Sequence, residues 1–193
     1  RPIEIEVYYP SLPHPDTSPE IHRQHMLFPY QEVESNFGSV LSKWLDGYRQ
    51  LEPAFNLYFA ATTAKHAYLE TQFLFLVQGL EALHRRMVGS ENGKVHLRKR
   101  LADLLAPLAK HFENDKKNEA LINDVVKTRN YLTHYDPALE SQSKAGVDLC
   151  GLCTKLEVLF ELQLLRQVGF SDDQIDRIVN GNYRTKEKLK DKI

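Results

Sequence analysis

The sequence is poor in cysteine, tryptophan and methionine, and it carries almost no net charge. Two cysteines, one tryptophan and two methionines occur in 193 residues, and 25 Lys+Arg against 26 Asp+Glu give a formal net charge of −1. So few cysteines exclude a disulfide scaffold. The balanced charge excludes a surface built as a whole to coat nucleic acid or acidic membrane. Any contact with nucleic acid must therefore be local.

Long hydrophobic runs are also missing. The most apolar stretch, residues 73–77, is bounded by Gln72 and Gln78 and is far shorter than the roughly 20 residues that a spanning helix needs. We therefore predict no membrane segment and a cytoplasmic location. The first residue is Arg1, and no basic segment followed by an apolar one precedes the domain, so we expect a piece of a longer chain.

The two cysteines are predicted to be structural. Cys150 and Cys153 lie in an apolar run that reads as helix, with no second cysteine pair and no nearby histidine cluster, so the spacing of a zinc site is not met. A redox pair of this spacing is expected where a strand leads into a helix. We therefore predict reduced thiols in the core.

The first 31 residues differ from the rest in pattern. Apolar and acidic residues alternate over 3–7, which predicts a short strand, and five prolines follow between residues 10 and 29. Proline removes amide donors and disfavours helix at the preceding residue. We therefore predict an extended N-terminal arm or linker over residues 1–31 and a helical domain over residues 32–193.

From residue 33 onward apolar residues recur three and four apart, which predicts an all-α helical bundle. Pro53 is expected to open a helix, and Pro107 to kink one or to move its end. Asn114 or Asp115 is expected to cap the helix that follows, and Ser171 with Gln174 to form a capping box. The apolar helix over 147–168 is expected in the core or in a dimer interface. The lysine-rich tail after residue 185 is expected to fray. The predicted helices cover about 33–48, 53–63, 66–87, 94–108, 115–134, 147–168 and 172–179.

Among the eight histidines, His134 stands out by its neighbours. Asn130 precedes it by four residues, which places both on one face of a helix, and Arg129 can reach the same point with its long side chain. An imidazole can move a proton on a ribose hydroxyl or a leaving oxygen, and a guanidinium can hold charge that develops on phosphorus. This trio therefore suits phosphodiester cleavage without a metal or another cofactor.

The sequence resembles the HEPN superfamily. Residues 127–134, Lys-Thr-Arg-Asn-Tyr-Leu-Thr-His, resemble its Arg-x(4–6)-His signature, and residues 73–84, 156–166 and 168–170 resemble its Apea-like branch. The resemblance covers about residues 32–179. It implies an all-α domain that forms a homodimer and sets two such motifs face to face. It further implies a metal-independent endoribonuclease that leaves 2′,3′-cyclic phosphate and 5′-hydroxyl ends.

Carried over by position, the resemblance assigns roles to the motif residues. His134 would act as the acid and base, Arg129 would stabilise the phosphate, and Asn130 would orient the histidine or the scissile group. Glu81 is a further candidate, for orienting Arg129, although its spacing also allows an ion pair with Arg85.

Two neighbours of the motif carry less defined expectations. Tyr135 could stack on a base or serve the turn that follows. Some family members carry a tyrosine two residues after the histidine, where it can be modified. Position 136 here is Asp136, so regulation of that kind is not expected.

Two further expectations concern partners and role. Arg98, Lys99 and Arg100 could extend an RNA-binding surface, or form an ordinary solvated helix face. The resemblance implies a C-terminal effector of a bacterial anti-phage, abortive-infection or toxin-like protein, downstream of an N-terminal sensor region. The alternative is a HEPN-like module that binds RNA or protein, or only dimerises, without catalysis.

Overall fold

The computed structural model describes residues 26–63, 68–88, 95–112 and 114–190. Within these ranges every regular element is helical and no strand occurs, which confirms the predicted all-α class. The predicted strand at residues 3–7 and most of the predicted arm lie outside the described residues.

The described ranges form nine α-helices. Three single 3₁₀ turns accompany them, at Tyr30–Glu32, Glu34–Asn36 and Ala106–Leu108. The helices are α1 (Phe37–Thr63), α2 (Leu69–Val88), α3 (Leu97–Leu105), α4 (Ala109–Phe112), α5 (Asp115–His134), α6 (Pro137–Glu140), α7 (Gly146–Gln167), α8 (Asp172–Gly181) and α9 (Tyr183–Lys190).

Helix α1 runs without a break through Pro53, so the predicted start of a new helix at this proline is wrong. Proline lacks the N–H that a helix interior needs, at a cost of about 3 kcal/mol. Pro53 is exposed, whereas Leu51, Ala54 and Phe55 on either side are buried. Packing of α1 along α2, its most extensive neighbour, offsets the lost hydrogen bond and keeps one helix.

Helix α7 forms the centre of the core. Eleven of its 22 residues are buried, among them Leu152, Phe160 and Leu162 with no exposed surface. These apolar side chains already lie against other helices of the same chain. The core position expected for this helix is confirmed, and a contribution of α7 to a dimer contact stays a prediction.

The helix ends that were predicted from neighbouring residues are confirmed at three places. Pro107 lies in the 3₁₀ turn that separates α3 from α4. Ser171 and Gln174 form the reciprocal capping box of α8. Asn114 caps α5, since its side-chain oxygen accepts a hydrogen bond from the Lys117 amide at 3.1 Å.

Up to Lys190 the C-terminal tail is helix rather than the frayed end that was expected. In α9, Leu189 is buried. Lys188 forms ion pairs with Glu157 at 2.9 Å and with Glu161 at 3.4 Å, which attach α9 to α7. Because both carboxylates lie on another helix, the charge pattern of the tail alone could not show the attachment.

The last residues of the predicted arm pack on the helical domain. The Asn182 side-chain amide donates to the carbonyls of Met26 at 2.7 Å and Leu27 at 3.1 Å. The Phe28 and Phe170 rings lie 4.9 Å apart. Residues 26–28 are thereby held over α8 and α9. In the part of the chain that is described, no helix has the length and apolarity that crossing a membrane requires.

Candidate active site at the end of α5

The residues of the Arg-x4-His motif lie on the last turns of α5, and local chemistry explains why the helix ends there. Tyr135 adopts a left-handed conformation (φ 49°, ψ 34°), and its amide donates back to the Tyr131 carbonyl at 2.6 Å. Pro137 then opens α6, whose N-cap Asp136 accepts a hydrogen bond from the Ala138 amide at 2.9 Å. His134 is therefore the last residue of the helix.

Arg129 and Asn130 contact each other. The Arg129 Nη1 group donates to the Asn130 side-chain oxygen at 3.3 Å, and both side chains are half-buried. No carboxylate among the described residues forms an ion pair with Arg129. Because a guanidinium has five N–H donors, most of them remain available to a phosphate group.

His134 is exposed, one helical turn beyond Asn130. Its ring has no hydrogen-bond partner within the described ranges. An exposed imidazole can exchange protons with a bound substrate. The structure thus brings Arg129, Asn130 and His134 to one helix end; their chemical roles stay predictions.

The buried side of α5 fixes the position of the motif. Leu121, Val125, Thr128 and Leu132 recur at spacings of three and four and are buried. The Thr128 hydroxyl accepts a hydrogen bond from the Lys144 amide at 3.0 Å, which attaches the turn after α6 to the motif helix. The motif side chains therefore project from a helix that is anchored along its opposite face.

A polar groove of about 520 Å³ lies beside the end of α5, and none of the three motif side chains lines it. The Tyr131 and Tyr135 rings meet edge to face, with centroids 5.5 Å apart. Burial, followed by the nearby Glu140 carboxylate, raises the pKa of Tyr131, so this hydroxyl stays protonated at neutral pH. The groove is lined by Tyr68, Glu70, Thr71, Tyr131, Leu132, Tyr135, Glu140, Ser143, Lys144 and Ala145.

Glu81 lies among other arginines. Its Oε1 atom is 3.1 Å from Arg85 and 3.7 Å from Arg100, so the ion pair with Arg85 that the spacing allowed is present. Within the described part of the chain, no hydrogen bond or ion pair joins Glu81 to Arg129. Orientation of Arg129 by Glu81 stays a prediction.

The three basic residues proposed for an RNA surface divide into two groups. Arg98 donates to the Asn123 side chain of α5, and Lys99 pairs with Asp103 on its own helix. Both are exposed. The expectation that Arg100 lies on an exposed surface is wrong, because its side chain is only 4% exposed and is enclosed between α2 and α3. It therefore belongs neither to a solvated face nor to a surface that RNA could reach.

Arg100 is part of a buried polar network that the sequence reasoning missed. Its Nη1 group donates to His84 Nδ1 at 3.2 Å, and its Nε group donates to the Val95 carbonyl at 3.1 Å. Because Nδ1 accepts, the His84 proton lies on Nε2, which faces Asp103 at 3.2 Å. The only available signal was the pair Glu81 and His84, three residues apart on α2.

One of the two cysteines lies in the core, as predicted. Cys153 is buried, and burial, followed by Glu157, raises the pKa of its thiol to about 12. Cys150 is exposed, so the expectation that both lie in the core is wrong for this residue. Among the residues that the structure describes, no three His, Cys, Asp or Glu side chains are grouped so that they could hold a metal ion.

The fold and the site together define the class: an all-α bundle that presents arginine, asparagine and histidine at the end of one anchored helix. The family model for the Apea-like HEPN domain matches residues 74–174, just over half of the chain. The chain therefore belongs to the Apea-like HEPN family, which confirms the resemblance seen in the sequence. No curated protein and no solved structure matches the chain significantly.

Proposed function

We propose that this protein is a metal-independent endoribonuclease whose active site contains Arg129, Asn130 and His134. The observation that carries the proposal is the end of α5, where an exposed imidazole lies five residues after a guanidinium that has no carboxylate partner among the described residues. Membership of a HEPN family supports the same reaction class.

In the proposed reaction a general base removes the proton of a ribose 2′-hydroxyl. The 2′-oxygen attacks phosphorus, and the bond from phosphorus to the 5′-oxygen breaks. An acid protonates the leaving 5′-oxygen, which gives a 2′,3′-cyclic phosphate and a 5′-hydroxyl. His134 supplies this proton transfer, and Arg129 binds the phosphate oxygens as negative charge grows on them. Asn130, held by Arg129 at 3.3 Å, orients the scissile group.

The proposed site is shared by two copies of the chain in a homodimer. One imidazole is needed as base and one as acid in a single displacement, and a dimer with twofold symmetry supplies two copies of His134. Exposure of His134 at the surface of the single chain favours this arrangement. Sedimentation should give about twice the chain mass of 22.3 kDa; a strict monomer that cleaves RNA would contradict the shared site.

The test is cleavage of labelled single-stranded RNA in EDTA by the wild type, Arg129→Ala and His134→Ala. We expect EDTA-resistant cleavage by the wild type, and a loss of about 10²- to 10⁴-fold in each variant, the usual size of a lost acid-base group. Lys127→Ala removes the charge of an exposed side chain on the same helix. This variant is the matched control and should keep the wild-type activity. Cleavage by His134→Ala at the wild-type rate would overturn the proposal.

We further propose that the domain acts in the cytoplasm as the RNA-damaging effector of a longer anti-phage or toxin-like protein, controlled by an N-terminal sensor region. A bacterium that produces the active chain should arrest its growth, and His134→Ala should restore growth at equal protein level. Growth arrest that persists with His134→Ala would contradict a role through RNA cleavage.

A further inference from the structure

A largely apolar cavity of about 490 Å³ lies between α1, α7, α9 and the segment that precedes α1. We call it the Trp44 pocket, after the single tryptophan of the chain. Its walls include Phe28, Trp44, Phe59 and Leu164. None of the three motif side chains of α5 lines it, so it is a second site.

Both the size and the rim of the Trp44 pocket are those of a ligand site. Cavities of about 300–1,000 Å³ lined by apolar and aromatic side chains are typical of small-molecule sites. Phe37 and Leu41 at its rim are 45% and 42% exposed. Large apolar side chains at the rim of a cavity are exposed to water, and a ligand that covers them gains the favourable free energy of burying apolar surface.

One end of the Trp44 pocket is polar, and most of its polar groups already have partners. The Tyr58 hydroxyl donates to Glu161 at 3.1 Å. Lys188 bridges Glu161 and Glu157, and Glu157 also accepts from the Gln72 amide at 3.0 Å. Both carboxylates therefore have hydrogen-bond partners within the fold.

Arg184 is the exception at this end. It lines the pocket and is exposed, and it forms no ion pair within the described part of the chain. Burial, followed by Glu161, raises the pKa of Tyr58, whereas Arg184 acts in the opposite direction, so its guanidinium lies near the polar end. An unpaired guanidinium at the mouth of an apolar cavity is complementary to an anionic group on an apolar body.

We propose that the Trp44 pocket binds an amphipathic small molecule that has one carboxylate or phosphate head group and an acyl or aromatic body. The body lies against Trp44 and Phe59, and the head group meets Arg184. The segment that contains Phe28 forms one wall of the pocket. A bound ligand would therefore contact this segment, α1 and α7 at the same time. The proposal is independent of the ribonuclease proposal, and its test measures binding alone.

The test titrates the full chain with octanoate, decanoate and dodecanoate below their micelle concentrations and follows Trp44 fluorescence. Because Trp44 is the only tryptophan, any change of its emission reports on this pocket. Each buried methylene contributes about a fourfold gain in affinity, so each step of two methylenes should tighten binding about fifteenfold. Calorimetry on the same samples should return a stoichiometry of one.

Head-group chemistry is tested with dodecyl phosphate and dodecanol in the same titration. Both anions should bind about three- to fivefold more tightly than the alcohol, the size expected for an exposed charge pair. Whichever anion binds more tightly distinguishes the carboxylate from the phosphate source. Arg184→Gln should remove the preference for anions, whereas Arg86→Gln, an exposed arginine at the end of α2, should keep it.

A second pair of variants tests the apolar wall. Leu41→Glu places a carboxylate at the rim and should weaken dodecanoate binding about tenfold. Leu45→Glu, one turn further on α1, 55% exposed and outside the pocket lining, is the matched control and should bind as the wild type does. Both positions are exposed, so folding should be kept.

Three results would overturn the proposal. The first is no change in Trp44 emission or heat with any probe. The second is affinity that does not depend on chain length. The third is equal binding by Leu41→Glu and the wild type together with a loss of self-association in Leu41→Glu, which would assign this face to a second copy of the chain.

Discussion

Tyr135 holds a backbone conformation that bulky residues avoid. It is the only residue other than glycine with a positive φ among the described residues. A left-handed conformation costs a side chain with a Cβ atom about 1–2 kcal/mol. The ring contact with Tyr131 offsets part of this conformational cost. The strain lies directly after His134 and beside the polar groove, where the Tyr135 ring is exposed.

We therefore expect Tyr135→Gly to separate stability from activity. Glycine relieves the strain but loses a ring contact worth about 0.5–1.5 kcal/mol, so the free energy of unfolding should change by no more than about 1.5 kcal/mol. RNA cleavage should fall if the ring stacks on a base. Urea unfolding and the cleavage assay measure the two effects on one preparation. Unchanged cleavage would leave Tyr135 with the role of a helix-end residue only.

Residues of the candidate site differ in how far the sequence could predict them. Arg129, Asn130 and His134 belong to one helix, so their spacing alone placed them together. The burial of Arg100 depends on α2, sixteen residues earlier at His84, and no local pattern records that contact. The exposure of Cys150 beside the buried Cys153 likewise depends on which face of α7 meets its neighbours.

Helices α1 and α2 show how glycine can serve opposite purposes in two adjacent elements. A Cβ atom on Gly79 would lie 3.2 Å from the Phe160 ring and 3.4 Å from Leu57 Cβ. Gly79 therefore permits the close approach of α2 to α1 and α7. Gly47 on α1 has no heavy atom near its Cβ position and only weakens the helix.

Substitutions at these two glycines should change stability in opposite directions. Gly47→Ala should raise the free energy of unfolding by about 0.5–1 kcal/mol, since alanine favours helix and meets nothing. Gly79→Leu should lower it by at least about 1–3 kcal/mol, because the side chain overfills the contact with Phe160. Chemical unfolding of both variants beside the wild type measures the difference. Destabilisation by Gly47→Ala would indicate a contact that α1 makes outside the described chain.

Element boundaries were predictable where a short-range device sets them. The caps at Asn114 and Ser171 and the turn at Pro107 lie where the sequence placed them. The continuous α1 and the ordered α9 were not predicted. In both, contacts with a distant helix outweigh the local signal of Pro53 or of the lysine-rich tail.

At the scale of the whole molecule, charged contacts between α4 and α8 make stability depend on pH. Lys110 and His111 lie 2.6 and 3.0 Å from the two oxygens of Asp176. Lys110, and then His111, hold the pKa of Asp176 below its usual value, and burial lowers the pKa of His111. Both groups bind protons more readily in the unfolded chain than in the folded one.

Stability should therefore fall as the pH decreases. The contribution of His111 is present above its unfolded pKa of about 6.5 and is lost below that pH, and that of Asp176 is lost as the pH falls below about 4. The melting temperature should decrease between pH 7.5 and 5.5, and His111→Gln should reduce the decrease. His96→Gln, at an exposed histidine, controls for the loss of one imidazole. An identical decrease in His111→Gln and the wild type would contradict this origin.

The buried stripe of α5 and its motif residues occupy different positions on the same helix. Leu121, Val125 and Leu132 hold the helix in the core, whereas Arg129, Asn130 and His134 contribute little to that packing. Over evolutionary time the two sets can change separately. A descendant of this chain can lose His134 and keep its fold, so the proposed catalysis depends on residues that the fold itself does not require.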